Sequence, residues 1–250
     1  MKVATIQFAP FYRRKRENLT RLVGLIKEAA REGAKLIVMP ELALSGYSMM
    51  SVGEAAMEAE VICKEAPTMR LMLGLAAHLD VRLVWGMVER DPGTDKLYNS
   101  QVYVDPKGYF ESYRKVNGFG QDWSWATMGE ANPPVIKDDL FGKVGLLICR
   151  DVRDKKDEKW NSFYEKGDSD LVCFSSAWGK GGIPATAWMD FVRNNRTTLI
   201  VSNRYGTEAN NDFGAGGVCI IKPDGDDEHP NGVYIDGLIW GSDCIVYAEV

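Results

Sequence analysis

Strand-like apolar runs alternate with helix-like ones along this chain, and the alternation breaks once. Residues 2–9 (KVATIQFA) follow the two-residue period of a strand. Over 16–32, Leu19, Leu22, Val23, Ile26, Ala29 and Ala30 share one helical face, which Gly33 caps. A buried strand at 35–39 (KLIVM) stops at Pro40-Glu41, and a second helix is expected over 65–79. Three strands then follow with no helix between them, at 81–89, 98–105 and 109–114, divided by the turn signals Asp91-Pro92-Gly93 and Asp105-Pro106-Lys107-Gly108. Alternation resumes with a strand at 143–149 (KVGLLIC), a helix near 157–166, a strand at 170–174, a helix at 185–197 and a strand at 199–203. Strands near 216–221 and 244–249 complete the tail, and the acidic, Gly-containing stretch 224–238 reads as an exposed loop. This mixture predicts an α/β fold with mixed sheet and helices on its outer faces.

A length of 250 residues suits one large α/β domain covering 1–250, although length alone leaves room for two small ones. The net charge of −5 supplies no basic surplus for phosphates, which argues against a nucleic-acid partner. The basic run Arg13-Arg14-Lys15-Arg16 reads as solvated loop. No stretch of eighteen apolar residues occurs, so no membrane span is expected. The N-terminus reads as a strand rather than a signal peptide, which points to the cytoplasm. Cys63, Cys149, Cys173, Cys219 and Cys244 are scattered and form no C-x-x-C pair, so zinc and disulfide readings both lose support.

The informative residues stand where strands end. Glu41 directly follows one apolar strand, Cys149 closes another, and Lys115 ends Y-F-E-S-Y-R-K. Ligands of open α/β sheets bind beyond the carboxyl ends of strands. A thiol attacks only as thiolate, so it needs a base. His78 lies in a helical pattern and His229 in an acidic loop, and neither follows a strand; Glu41 is the remaining base. Lys115 supplies positive charge for the thiolate and for the oxygen of a tetrahedral intermediate, with the backbone N–H of Arg150 as the second donor. Taken singly, each residue has a plainer reading. A strand-end Cys is usually core, a strand-end Lys is usually solvated, and a lone Glu can cap a helix.

In combination, the surrounding motifs resemble the nitrilase superfamily of carbon–nitrogen hydrolases. The resemblance runs from Val3 to Val250 through A-T-I-Q-F-A-P with Asn18 downstream, G-A-K-L-I-V-M-P-E-L-A-L-S-G-Y (33–47) and Y-N-S-Q-V-Y-V-D-P-K-G-Y-F-E-S-Y-R-K-V (98–116). It continues through G-K-V-G-L-L-I-C-R-D-V-R (142–153), S-S-A-W (175–178) and V-R-N-N-R-T-T-L-I-V-S-N-R-Y-G (192–206). It implies a four-layer α-β-β-α sandwich with two mixed sheets, a homo-oligomer, no metal or organic cofactor, and the catalytic set Glu41, Lys115 and Cys149. It also implies hydrolysis of a small-molecule amide or N-carbamoyl compound. Nitrile hydrolysis or acyl transfer would use the same residues, and a catalytically silent binding protein is the remaining alternative. Nitrilases of the family usually carry Trp-Glu after the Cys; Arg150-Asp151 here favours an amide.

Two departures stand out. The second Glu of many family members aligns with Trp123, with Asp122 and Glu130 as nearby carboxylates. Trp123 and Trp125 would either wall an apolar or aromatic substrate pocket, with Trp178 as a third wall, or simply pack their loop. The aromatic-Pro-Glu ending after the nucleophile segment is replaced by Asp154-Lys155-Lys156, and Arg150 offers a cation for a substrate carboxylate.

Overall fold

The computed structural model describes residues 1–153, 168–179, 183–224, 233–239 and 241–250. The expected helix near 157–166, the tract Asp154–Lys156 and His229 lie outside them. The first half contains β1 (Lys2–Gln7), α1 (Lys15–Arg31), β2 (Leu36–Val38), α2 (Val52–Glu58), α3 (Pro67–Leu79), β3 (Arg82–Arg90), β4 (Leu97–Val104), β5 (Phe110–Arg114) and α4 (Asp122–Trp125). The second contains β6 (Val135–Asp138), β7 (Gly142–Ile148), a 3-10 turn at Cys149–Val152, β8 (Leu171–Ser176), α5 (Thr186–Asn195) and β9 (Thr198–Asn203). It ends with β10 (Thr207–Glu208), β11 (Asn211–Asp212), β12 (Val218–Pro223), β13 (Val233–Ile239) and β14 (Cys244–Glu249).

Two six-stranded sheets form, in the orders β14-β1-β2-β3-β4-β5 and β13-β12-β9-β8-β7-β6. In each, three parallel strands (β1-β2-β3 and β7-β8-β9) are flanked by antiparallel ones, which makes both sheets mixed. The sheets face each other through Val3, Leu36, Val38 and Val84 on one side and Val144, Leu146, Ile148, Ile200 and Ile220 on the other. Helices α1 and α3 cover the outer face of the first sheet through Leu22, Ile26, Ala29, Met69, Met72 and Ala76. Helix α5 covers the second with Trp188, Phe191 and Val192. The result is the α-β-β-α sandwich.

Local chemistry explains the elements. In α1, Asn18, Leu22, Ile26 and Ala29 recur at helical spacing on the buried face, while Glu17 and Arg31 suit the two ends of the helix dipole. Helix α3 begins with Pro67 and ends at Asp80 in the left-handed conformation. Polar ties cross between the sheets near the strand ends. Ser175 Oγ donates to Met39 O at 2.7 Å and Ser202 Oγ to Ile6 O at 2.6 Å. Such buried groups must find partners, and here they fix the register of one sheet on the other.

The stretch 224–238 is not wholly a loop. Its end enters β13, which pairs antiparallel with β12 from Val218↔Ile239 to Pro223↔Val233. Asp236 and Gly237 hid the strand from pattern reading, but β13 is the outer strand of its sheet, where a polar residue and a glycine are tolerated. Helix α2 also went unforeseen, although Ser51 caps it by accepting the Glu54 N–H at 3.2 Å and Glu54 accepts the Met50 N–H at 2.7 Å.

Candidate active site

Glu41 follows β2 in a tight turn clamped against β3. Gly86 donates its N–H to Pro40 O at 3.1 Å and accepts the Ala43 N–H at 3.1 Å. A Cβ on Gly86 would lie 2.4 Å from the Leu42 nitrogen and 2.7 Å from the Glu41 Cα, so only glycine permits this approach. The following loop is pinned from the short β10-β11 hairpin: Glu208 accepts the Tyr47 and Ser48 N–H groups at 2.7 Å each and is paired with Arg204 at 2.9 Å. Glu41 itself is buried and fully bonded. Its Oε1 accepts from Lys115 Nζ at 2.6 Å and Asn99 Nδ2 at 2.7 Å, and its Oε2 accepts from the Ala177 N–H at 2.9 Å.

Lys115 comes one residue after β5. Its N–H donates to Asn99 O at 2.8 Å, and its carbonyl accepts the Gly129 N–H at 2.8 Å. Besides Glu41, its Nζ donates to Asp122 Oδ2 at 2.7 Å. Asp122, on α4, also accepts from Asn99 Nδ2 at 3.1 Å and the Phe119 N–H at 2.9 Å. Burial opposes the Lys115 charge, but the Asp122 and Glu41 carboxylates outweigh it and hold the lysine pKa well above its ordinary value. The Tyr47 ring lies 5.9 Å from the ammonium.

Cys149 follows β7 with φ +44°, in the left-handed region that a β-carbon-bearing residue seldom occupies. At this strand end the thiol lies within electrostatic reach of Glu41 and Lys115, both of which act on it. Burial, reinforced by the Glu41 carboxylate, pushes the thiol up to about 12 against the opposing pull of Lys115, the Ala177 N–H and the Ser176 side chain. The resting group is therefore a neutral thiol beside a carboxylate and an ammonium. Two residues on, buried Asp151 accepts from Tyr113 Oη at 2.8 Å and the Asn117 N–H at 2.7 Å. Burial pushes its carboxyl up to about 7.

The structure thus brings Glu41, Lys115 and Cys149 together. Of the two carboxylates left open by the sequence, Asp122 joins them; Glu130 is exposed and faces a different cleft, beside Lys96 and Arg114. The tryptophans separate. Trp123 is 68% exposed and lines a cleft with Phe119 and Arg150. Trp125 is buried among Leu42, Tyr47, Met49 and Phe213. Trp178 is half-buried, 5.4 Å from the Trp188 ring and 4.8 Å beneath the Arg153 guanidinium. His78 is exposed on α3. Sequence reasoning missed Asn99, which bridges both carboxylates; the polar run Asn99-Ser100-Gln101 inside a strand with apolar ends was the signal for it. Among the described residues, no group of three or more His, Cys, Asp or Glu side chains is placed to hold a metal ion, and no helix is long and apolar enough to cross a membrane.

Residues 2–227 match the family model of the carbon–nitrogen hydrolases, and the chain belongs to that family. A nitrilase of Pyrococcus abyssi is 36% identical over 151 residues, which is 60% of this chain and 56% of that protein, so the match spans little more than half of the relative. An (R)-stereoselective amidase of Pseudomonas sp. is 27% identical over 226 residues, covering 90% of this chain and 78% of the relative. Among solved structures, an amidase from Nesterenkonia sp. AN1 superposes with a TM-score of 0.79 at 21% identity, over 100% of this chain and 93% of that one. That likeness speaks for the fold.

Proposed function

We propose that the chain is a thiol amidohydrolase that cleaves a non-peptide C–N bond, of an amide or N-carbamoyl compound, through an acyl-enzyme on Cys149. The observation that carries this reading is the buried contact of Lys115 Nζ with Glu41 at 2.6 Å, with a thiol held at positive φ beside the pair. Glu41 takes the Cys149 proton as the sulfur attacks the carbonyl carbon. Lys115 and the Arg150 N–H, at the start of the 3-10 turn, hold the developing oxyanion. Glu41 then returns the proton to the leaving nitrogen as the C–N bond breaks. Water, deprotonated by Glu41, hydrolyses the thioester and restores the thiol. Asp122 positions Lys115 from the other side. A mutant of the Nesterenkonia amidase has been observed with acrylamide added at its active site cysteine. The relatives carry both nitrilase and amidase names, and Arg150-Asp151 after the Cys supports the amide.

A panel of primary amides, N-carbamoyl compounds and nitriles, scored by ammonia release, tests this reading. Release from amides or N-carbamoyl compounds by the wild type, and none by Cys149→Ala, is the expected result. Turnover by Cys149→Ala, or release from nitriles alone, overturns it.

A further inference from the structure

Of the buried serine and threonine hydroxyls among the described residues, Ser176 Oγ alone has no hydrogen-bond partner. A buried hydroxyl left unpaired costs free energy, so such a group calls for a reason. Its neighbour needs none: Ser175 Oγ donates to Met39 O at 2.7 Å and accepts from Gln101 Nε2 at 2.8 Å. Ser176 ends β8, which runs parallel to β7, and the last pair of that ladder is Ile148↔Ser175. The next residue is Cys149 on one strand and Ser176 on the other. The unpaired hydroxyl therefore stands beside the nucleophile, where it favours the ionised form of the thiol. The other donors nearby are engaged. The Ala177 N–H goes to Glu41 Oε2 at 2.9 Å, and Lys115 Nζ is shared between Glu41 at 2.6 Å and Asp122 at 2.7 Å. A neutral thiol is a weak acceptor and offers the hydroxyl little, whereas a thiolate is a full anion. The unpaired donor thus suits the charged sulfur rather than the resting one.

We propose that Ser176 donates a hydrogen bond to the Cys149 sulfur as the sulfur becomes negative, a further catalytic group at the nucleophile itself. The inference rests on the amidohydrolase reading and adds a residue to it. The Cys149 proton passes to Glu41 as before, and Ser176 keeps its own. Once the sulfur–carbon bond has formed, the sulfur is neutral and the hydroxyl is released from it. When water has opened the thioester, the leaving thiolate takes up the same hydrogen bond until Glu41 returns the proton. The donor is held in place by strand pairing alone, Ser176 lying opposite Asn203 of β9, so no rearrangement is needed to present it.

The test reads the reactivity of the sulfur, so that it stands apart from turnover. Rates of iodoacetamide labelling at neutral pH are followed by peptide mapping at Cys149, and at Cys173 on the same strand, in the wild type, Ser176→Ala and Ser176→Thr. Loss of a hydrogen bond to a charged atom should hold back ionisation about 10- to 100-fold. A more basic thiolate attacks faster, which recovers about half of that on a logarithmic scale, so Cys149 labelling in Ser176→Ala should slow about 3- to 10-fold. Ser176→Thr, which keeps the hydroxyl, should stay within about twofold of the wild type. A role in packing alone has the opposite sign: loosening β8 would speed labelling of Cys149 and of buried Cys173 together. If Ser176→Ala does not fold, the isosteric pair Ser176→Thr and Ser176→Val isolates the hydroxyl, and the valine should be the slower. Labelling of Cys149 in Ser176→Ala as fast as in the wild type or faster, or a threonine as slow as the alanine, overturns the inference. Failure of the wild type to release ammonia from any amide or N-carbamoyl compound would instead overturn the amidohydrolase reading and leave the labelling result standing.

Discussion

The two sheets hold their parts of the site in opposite ways. At the end of the first, Glu41 accepts hydrogen bonds from Asn99, Ala177 and Lys115, and Lys115 also donates to Asp122, so their positions are fixed. At the end of the second, Cys149 is positioned by backbone conformation and kept neutral by burial. One side is a preorganised electrostatic frame, built before substrate arrives; the other is an uncharged thiol held at positive φ, which under the proposed mechanism the frame activates. Preorganisation of this kind costs no rearrangement at the moment of reaction.

The comparison can be broken first on its weaker side. Cys149→Ala should remove turnover by several orders of magnitude, because covalent catalysis is lost outright, while the thermal transition stays near that of the wild type. Steady-state ammonia release and thermal unfolding check both halves.

Breaking the frame should act on rate and stability together. Lys115→Met should lower kcat roughly 100-fold or more, as for loss of an oxyanion donor. It should also cost about 3–5 kcal/mol in urea unfolding, because it leaves the Glu41 and Asp122 carboxylates buried without their cation. Asp122→Asn should be milder. Lys115 keeps Glu41, so kcat should fall about tenfold, the scale of one charge-assisted hydrogen bond, with KM changed less than kcat.

A further effect reads on stability alone and concerns Asp151, whose ordinary value is 3.8 and whose folded value is about 7. The folded protein holds this proton more tightly than the unfolded chain. Stability is therefore highest below the ordinary value and falls as pH rises through about 7, by on the order of 4 kcal/mol. Asp151→Asn lacks this slope. In urea titrations, the variant should gain on the wild type between about pH 4 and about pH 7 and hold a constant difference above that range. A difference that does not change with pH would show that Asp151 is ionised throughout.

Much of this was readable from the chain because strands that stop at Glu41, Lys115 and Cys149, the first and last of them apolar, leave little choice of where those side chains gather. The outer parts were harder. Residues 233–239 pair as a strand despite Asp236 and Gly237, since an outer strand needs only one covered face. Asp122 and Trp123 are neighbours in sequence, and alignment favours the tryptophan for the place of the second acid. They sit on a helical turn that rotates successive side chains by about 100°. That rotation sends Asp122 inward to Lys115 and leaves Trp123 in the open cleft. A one-residue choice of this kind depends on where the turn begins, and single-residue pattern does not carry that information. Trp125, two positions on, turns inward again and packs rather than lining the cleft.

The most direct test of the account joins chemistry and identity at one atom. Iodoacetamide is itself a primary amide and should enter the site as a substrate does, reaching Cys149 ahead of half-buried Cys63 and Cys244 and buried Cys173 and Cys219. Peptide mapping of the fraction alkylated at Cys149 is measured on the same samples as ammonia release. Activity should fall in proportion to Cys149 labelling and reach zero when labelling is complete. Full activity in protein whose Cys149 is alkylated would contradict the account.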